Sequence, residues 1–287
     1  MKYIRKTTED IKGNFLIKLL EERGYPQDGD WDSYINPTYE NEHDPLLLDH
    51  VIEGAELLAD AIINHKKIYI CIDSDVDGFT SAALVYNILR YEYEKYDVQI
   101  EYHVPDGKEH GLETLMDIFT DKKICDLIIL PDSSSNDYEY HKILKDLGYD
   151  ILVLDHHNAP QYSEDAIVIN NQLSENYPNK SLSGVGVVYK FFEYFQNWFF
   201  ATYEAKVPED YEGWEPYTDK YIDLVALGEV SDMMNMNTME NRFICDYGLS
   251  HINNILFHEM VYDHCYSIFQ IKKEDWDESY ITDGKLT

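Results

Sequence analysis

Residues 68–84 read IYICIDSDVDGFTSAAL. A short apolar run leads into three aspartates at alternate positions, Asp73, Asp75 and Asp77, and then into Gly78 and a helix-forming stretch. An apolar run ended by a polar turn and followed by a helical pattern predicts a strand feeding a crossover helix, the unit of a parallel sheet. The aspartates occupy the turn. Alternate residues of an extended segment share a face, so the three carboxylates can converge on one point. Their mutual repulsion then calls for a cation.

Two other readings of this stretch are weaker. Asp-x-Asp-x-Asp-Gly also opens a calcium-binding EF-hand loop, but that loop needs a bidentate Glu at its twelfth position, which here is Leu84. It also follows a helix, whereas this stretch follows a strand. Acids at a helix N-terminus are favoured by the helix dipole. That accounts for one aspartate, not for three with further polar clusters behind other strands.

Those further clusters appear on moving outward. The predicted strands 67–72, 98–104, 125–130 and 150–154 alternate with predicted helices at 80–96, 111–119 and 140–148. The pattern predicts an α/β fold, a parallel Rossmann-like sheet flanked by helices, with N-terminal helices and a helical C-terminal portion. Asp132 follows the third strand, and Asp155, His156 and His157 follow the fourth. All three clusters therefore fall at the carboxyl edge of the sheet, where ligands bind in open α/β folds. Carboxylates with imidazole and no thiolate suit Mn²⁺ or Mg²⁺ better than structural zinc. Several carboxylates can hold two ions ~4 Å apart, an arrangement suited to phosphoester hydrolysis. Ser133, Ser134 and Ser135 follow Asp132 and can bind phosphate or simply form the turn.

The N-terminal part reads as two helices, 7–24 and 46–65, the second capped by Asp44-Pro45, joined by a polar connector. The C-terminal part reads as helices at 184–200, 221–234 and 241–257, with an acidic, aromatic surface insertion at 201–220. The 287 residues suffice for a full core, and the 44% hydrophobic and 14% aromatic content describes a folded chain. Cys71, Cys125, Cys245 and Cys265 form no CxxC pair, which fits a reducing cytoplasm. No apolar run approaches the length of a membrane span, and the first residues have no signal-peptide core. The formal charge of −32 works against unaided binding to nucleic acid.

Four segments in order, DSDVDGFTS (73–81), the lone Asp132, LDHHNA (154–159) and ALGEVSDMM (226–234), resemble the motifs of the DHH phosphoesterases. DPLLLDHVIEGAELLADAI (44–62), SGVGVVYKFF (183–192) and ENRFICDYGL (240–249) are similar to the RecJ branch, single-strand-specific 5′→3′ exonucleases. The likeness runs from about residue 15 to about residue 255. It implies Asp75, Asp77, Asp132, His156 and Asp232 as metal ligands, with Mn²⁺ or Mg²⁺ as cofactor and two ions expected. Asp73 and Asp155 are implied as orienting carboxylates, and His157 as facing the scissile phosphate. The implied reaction is attack of a metal-activated water on phosphorus, with single-stranded nucleic acid as substrate. Asn241 and Arg242 are candidates for phosphate contact or for stabilising their helix. Gly184 and Gly186 read as close-packing positions.

The chain departs from the branch in two places. At 105–112 it has PDGKEHGL where the branch shows an arginine and Gly-Tyr-Gly-Leu, leaving Lys108 and His110 as the candidate substrate contacts there. It also contains no Gly-Gly pair, so the family's DHH-associated domain is expected from a segment or partner subunit outside this chain. The expected organisation is a helical extension at 1–65, a DHH catalytic domain at 66–255 and the start of a connector at 256–287. Two rivals remain: a phosphodiesterase for short oligonucleotides or cyclic dinucleotides, and a non-catalytic DHH-fold scaffold. Scaffolds of that type tend to lose the aspartates, which are all present here.

Overall fold

The computed structural model describes residues 34–105, 107, 111–203 and 217–264. The predicted helix at 7–24, Lys108 and His110, Cys265 and most of the acidic insertion lie outside these residues. Five strands form one parallel sheet: β1 (Lys67–Cys71), β2 (Gln99–His103), β3 (Leu127–Pro131), β4 (Asp150–Asp155) and β5 (Ile167–Asn170), in the order β2-β1-β3-β4-β5. Every pairing is parallel, for example Ile68 with Leu127 and Leu127 with Asp150. The chain leaves β1 toward β2 on one side and returns to β3 on the other. The strand order thus reverses between β1 and β3, and their carboxyl ends open a crevice.

Alternation along each strand divides the core in two. Ile68, Ile70, Leu127, Ile129, Leu152 and Leu154 enter one apolar cluster, while Tyr69, Cys71, Ile128, Leu130, Ile151 and Val153 enter the other. The first cluster lies under α1 (Val51–Ile63), α2 (Val76–Asn87), α5 (Gly184–Tyr203), α6 (Ile222–Ser231) and α7 (Met239–Ser250). The second lies under α3 (Met116–Asp121) and α4 (Tyr138–Asp146). Burial on both faces explains why β1, β3, β4 and β5 are nearly continuously apolar, whereas the edge strand β2, QIEYH, is largely exposed and mixed in character. A last helix, α8 (Ile255–Asp263), begins at Asn254, whose side chain accepts from the Phe257 N–H. The predicted helix 241–257 is therefore two helices, broken at this cap.

The expected α/β architecture is present, with two further local differences. β5, IVIN in sequence, is a strand beyond the four expected, and its β-branched Ile167, Val168 and Ile169 are the signal for it. Helix α2 starts at Val76, earlier than expected, because the Asp75 side chain accepts from the Gly78 N–H at 2.9 Å and caps it. Asp77 is consequently on the first turn of a helix, not on an extended segment.

Candidate metal centre

That early helix start changes how the aspartates converge. Asp73, Asp75 and Asp132 bring one carboxylate oxygen each within 4.8 Å of one another, Asp77, His156 and Asp232 form a second such group, and Asp132, His156 and His157 a third that links them. The three aspartates of the opening motif do not meet at one point; they are divided between two groups. His156 connects the groups, its Nε2 lying 3.4 Å from Asp132 Oδ1, 3.8 Å from Asp77 Oδ2 and 3.7 Å from Asp232 Oδ2.

Each residue is held by an identifiable feature of the fold. Asp77 accepts from the N–H groups of Gly184, 2.7 Å, and Val185, 3.0 Å, the first amides of α5. These are amides without an intrahelical partner, and the helix dipole favours an anion there. Asp132 sits at φ 62° and Ser134 at φ 76°, two left-handed residues in the turn after β3. Such backbone costs ~1 kcal/mol or more for a non-glycine residue and recurs at functional sites. Asp232 caps the C-terminus of α6 and is the most open of the second group.

His156 is oriented by Leu182, whose carbonyl lies 3.1 Å from Nδ1. A carbonyl can only accept, so Nδ1 carries the proton and Nε2 presents its lone pair to the carboxylates. Asp155 is fully buried and accepts from the backbone N–H groups of His156 and His157, from Ser135 N–H and from His157 Nδ1 at 2.8 Å. It orients His157 rather than joining either group.

The electrostatics match this division. Burial pushes the Asp77 carboxyl above its usual range, against the pull of the Val185 and Gly184 N–H groups and of His156. Burial, reinforced by the charges of Asp77 and Asp155, pushes Asp132 well above it. Burial would also raise Asp155, but the hydrogen bond and charge of His157 prevail and hold it well below the carboxylate range. The bond from His157 to Asp155 raises the imidazole to about 8.

These residues fit divalent cations. Asp132 Oδ1 is buried and has no hydrogen-bond partner among the described residues, although it faces a histidine nitrogen and other carboxylates. An orphaned buried carboxylate oxygen is costly unless a ligand satisfies it. The donor set is oxygen with one imidazole, the choice of hard or borderline ions such as Mg²⁺ and Mn²⁺. Glycines permit the approach: a Cβ on Gly184 would enter the Asp132 carboxylate, and one on Gly228 would meet Asp77. Gly184 and Gly186 are thus close-packing positions, as expected, Gly186 against Glu229 and Leu182.

The remaining candidates distribute unevenly. Ser133 and Ser134 are buried beside Asp132, and the Ser134 hydroxyl has no partner among the described residues. Ser135 is tied into the structure by Asp155 and by Asn170 Nδ2 at 2.8 Å. Asn241 is fully buried, and Arg242 lies 3.8 Å over the Tyr34 ring while its Nε donates to the Tyr34 carbonyl. Burial withdraws Asn241 from phosphate contact, whereas half-buried Arg242 is engaged by Tyr34 through its Nε and ring face. Glu229 was not anticipated: it is fully buried, accepts from Ser183 N–H at 2.9 Å, and burial pushes it up to about 8. The signal available was an acid within the apolar run of α6, three residues before Asp232.

An apolar groove of about 540 Å³ adjoins the centre at Asp75. Val76, Phe79, Leu224, Leu227, Leu256 and Met260 line it, and Phe79 is 44% exposed.

A parallel α/β sheet carrying a carboxylate–imidazole cation centre at its switch point is the class defined by this fold and site. Residues 67–228 match the DHH family, N-terminal domain, and the chain belongs to that family. A Bacillus subtilis (strain 168) protein bearing the name SPbeta prophage-derived single-strand DNA-specific exonuclease YorK is 34% identical over 213 residues, covering 74% of this chain and 34% of that protein. The single-stranded-DNA-specific exonuclease RecJ of the same organism is 27% identical over 254 residues, covering 87% of this chain and 29% of RecJ. The chain thus spans about a third of the length of these curated relatives. Among solved structures, exonuclease RecJ bound to manganese superposes with a TM-score of 0.58 at 21% identity, covering 74% of this chain and 50% of that one. RecJ from Thermus thermophilus in complex with Mn²⁺ gives 0.53 at 21% identity, covering 71% and 27%. These structural likenesses establish the fold.

Proposed function

We propose that this chain is the catalytic part of a metal-dependent phosphodiester hydrolase acting on single-stranded DNA from the 5′ end, in the manner of RecJ. The observation that carries the reading is that Asp75, Asp77, Asp132, His156 and Asp232 fall in adjoining groups of candidate ligands, linked through His156 and Asp132, whose buried Oδ1 has no hydrogen-bond partner among the described residues. Mn²⁺ or Mg²⁺, two ions in this reading, would be held by these five residues. Bound there, such ions polarise phosphoryl oxygens and activate water. The protein's own part is to hold the ligands apart and unsatisfied until cations arrive. His157, kept protonated by Asp155, faces a substrate phosphate as a hydrogen-bond donor. The groove beside Asp75 offers Phe79 as a surface on which a base stacks. Further positive charge comes from a second domain or partner subunit, and the setting is the cytoplasm.

The formal charge of −32 favours a second reading, hydrolysis of short oligonucleotides that need no extended basic track. One experiment separates the two. Single-stranded DNA labelled at either end is incubated with Mn²⁺ or chelator, with an Asp75→Ala/Asp77→Ala protein as control. Metal-dependent release of mononucleotides from the 5′ end, absent in the control, supports the RecJ-like reading. Hydrolysis of dinucleotides alone supports the second, and inactivity on both opposes each.

A further inference from the structure

Asn241 lies on the first turn of α7, fully buried, and its amide reaches two different loops. Nδ2 donates to the Ser181 carbonyl at 2.6 Å and, more weakly, to the Asn235 carbonyl at 3.4 Å. Oδ1 accepts from Asn179 Nδ2 at 2.6 Å, and the Asn179 amide also donates to Glu240 Oε2 at 2.9 Å. A separate bond joins the same loops, Asn235 N–H to Ser181 Oγ at 3.2 Å.

Those two loops carry the supports of three metal-centre residues. The segment 179–183 contains Leu182, whose carbonyl fixes the His156 ring, and it runs directly into the Gly184 and Val185 amides that hold Asp77. The other loop begins at Asp232 and continues to Asn235. One amide therefore joins the backbone that aims His156 and seats Asp77 to the backbone that delivers Asp232.

We propose that Asn241 is a positioning residue for the metal centre: by clamping residues 179–183 to the loop after Asp232 it sets the His156 tautomer and the spacing of His156, Asp77 and Asp232. The proposal rests on reading the site as a cation centre. Its chemistry requires an amide, because two carbonyls must be donated to while a third group is accepted from. A carboxylate at this position has no N–H for either carbonyl, and an apolar side chain leaves the Ser181 carbonyl without its Asn241 bond and unties it from the Asn235 carbonyl, which keeps the Thr238 N–H and hydroxyl. Loss of outer supports of this kind lowers metal affinity by about 10–100-fold in other metal sites.

The test uses the full 287-residue chain. Mn²⁺ binding is followed by electron paramagnetic resonance of the free ion, and the His156 ring nitrogens by ¹⁵N NMR of the metal-free protein. Asn241→Ala and Asn241→Asp are expected to weaken Mn²⁺ binding by about 10-fold or more and to change the His156 nitrogen pattern away from a single Nδ1-protonated form. Arg242→Ala, next along the same helix but bound to Tyr34, is expected to lower the melting temperature and move neither signal. Asn241 variants that lose stability as Arg242→Ala does, with Mn²⁺ affinity within two-fold of wild type and unchanged His156 nitrogens, would overturn the proposal. Should the Asn241 variants fail to fold, Ser181→Ala removes only the Asn235 tie; several-fold weaker Mn²⁺ binding supports the proposal, and unchanged binding overturns it. Wild-type protein that binds no Mn²⁺ would overturn the cation reading itself, and the metal-free His156 signals then decide positioning independently.

Discussion

His156 Nε2 lies 3.4 Å from Asp132 Oδ1, a buried carboxylate oxygen with no hydrogen-bond partner among the described residues. Two groups of carboxylates meet at this pair, and Asp132 is raised well above the usual range by burial and by its anionic neighbours. A residue in this position opposes folding until a cation arrives.

Asp132→Asn should therefore separate stability from function. In chelator the variant is expected to be more stable than wild type, by about 1 kcal/mol or roughly 2–4 °C in melting temperature. Nuclease activity is expected to fall about 100-fold or more. Thermal melts with and without Mn²⁺ check both parts, since Mn²⁺ should stabilise wild type and leave the variant unmoved.

Gly184 offers a test that changes no ligand residue. A Cβ there would enter the Asp132 carboxylate, so Gly184→Ala should displace Asp132 and weaken Mn²⁺ binding by about 10-fold or more. Calorimetric titration with Mn²⁺ measures it; unchanged affinity would count against the assigned role of Asp132.

His157 predicts a pH dependence. Its hydrogen bond to Asp155 raises the imidazole from 6.5 to about 8, so the charged form is favoured by the fold. The associated stabilisation is fully present below pH 6.5 and is lost as pH rises through 8. If the imidazolium contacts substrate phosphate, kcat/KM should decline over the same alkaline limb. In His157→Asn that limb should flatten, which a pH–rate profile of the two proteins reads directly.

Phe79 stands beside the centre, half-exposed in the groove at Asp75. Stacking on an aromatic ring is worth about 1–3 kcal/mol per base, so Phe79→Ala should raise KM for single-stranded DNA by about 5–150-fold with kcat little changed. An equal fall in kcat and kcat/KM would instead place Phe79 in support of the metal ligands.

The amino-acid sequence by itself determined the alternation of the first four strands with helices, the edge of the sheet on which the acids lie and the chemical type of the ligands. These are local or periodic properties: apolar runs ended by turns, and polar residues placed directly after them. Asp132 and His156 were legible because each follows a strand wholly committed to the core. Only the tertiary structure decided how the ligands divide. Cap formation by Asp75 started α2 early and sent Asp77 to the group of His156 and Asp232. The supports were equally invisible, because they join residues far apart in the chain. Gly184 donates to Asp77 across 107 positions, and Asn241 reaches Ser181 across 60. A buried Glu229 or a Leu182 carbonyl has no local pattern that announces a partner. Such contacts exist only once β1, α5, α6 and α7 are packed together, since their geometry is a property of the assembled core and not of any one segment.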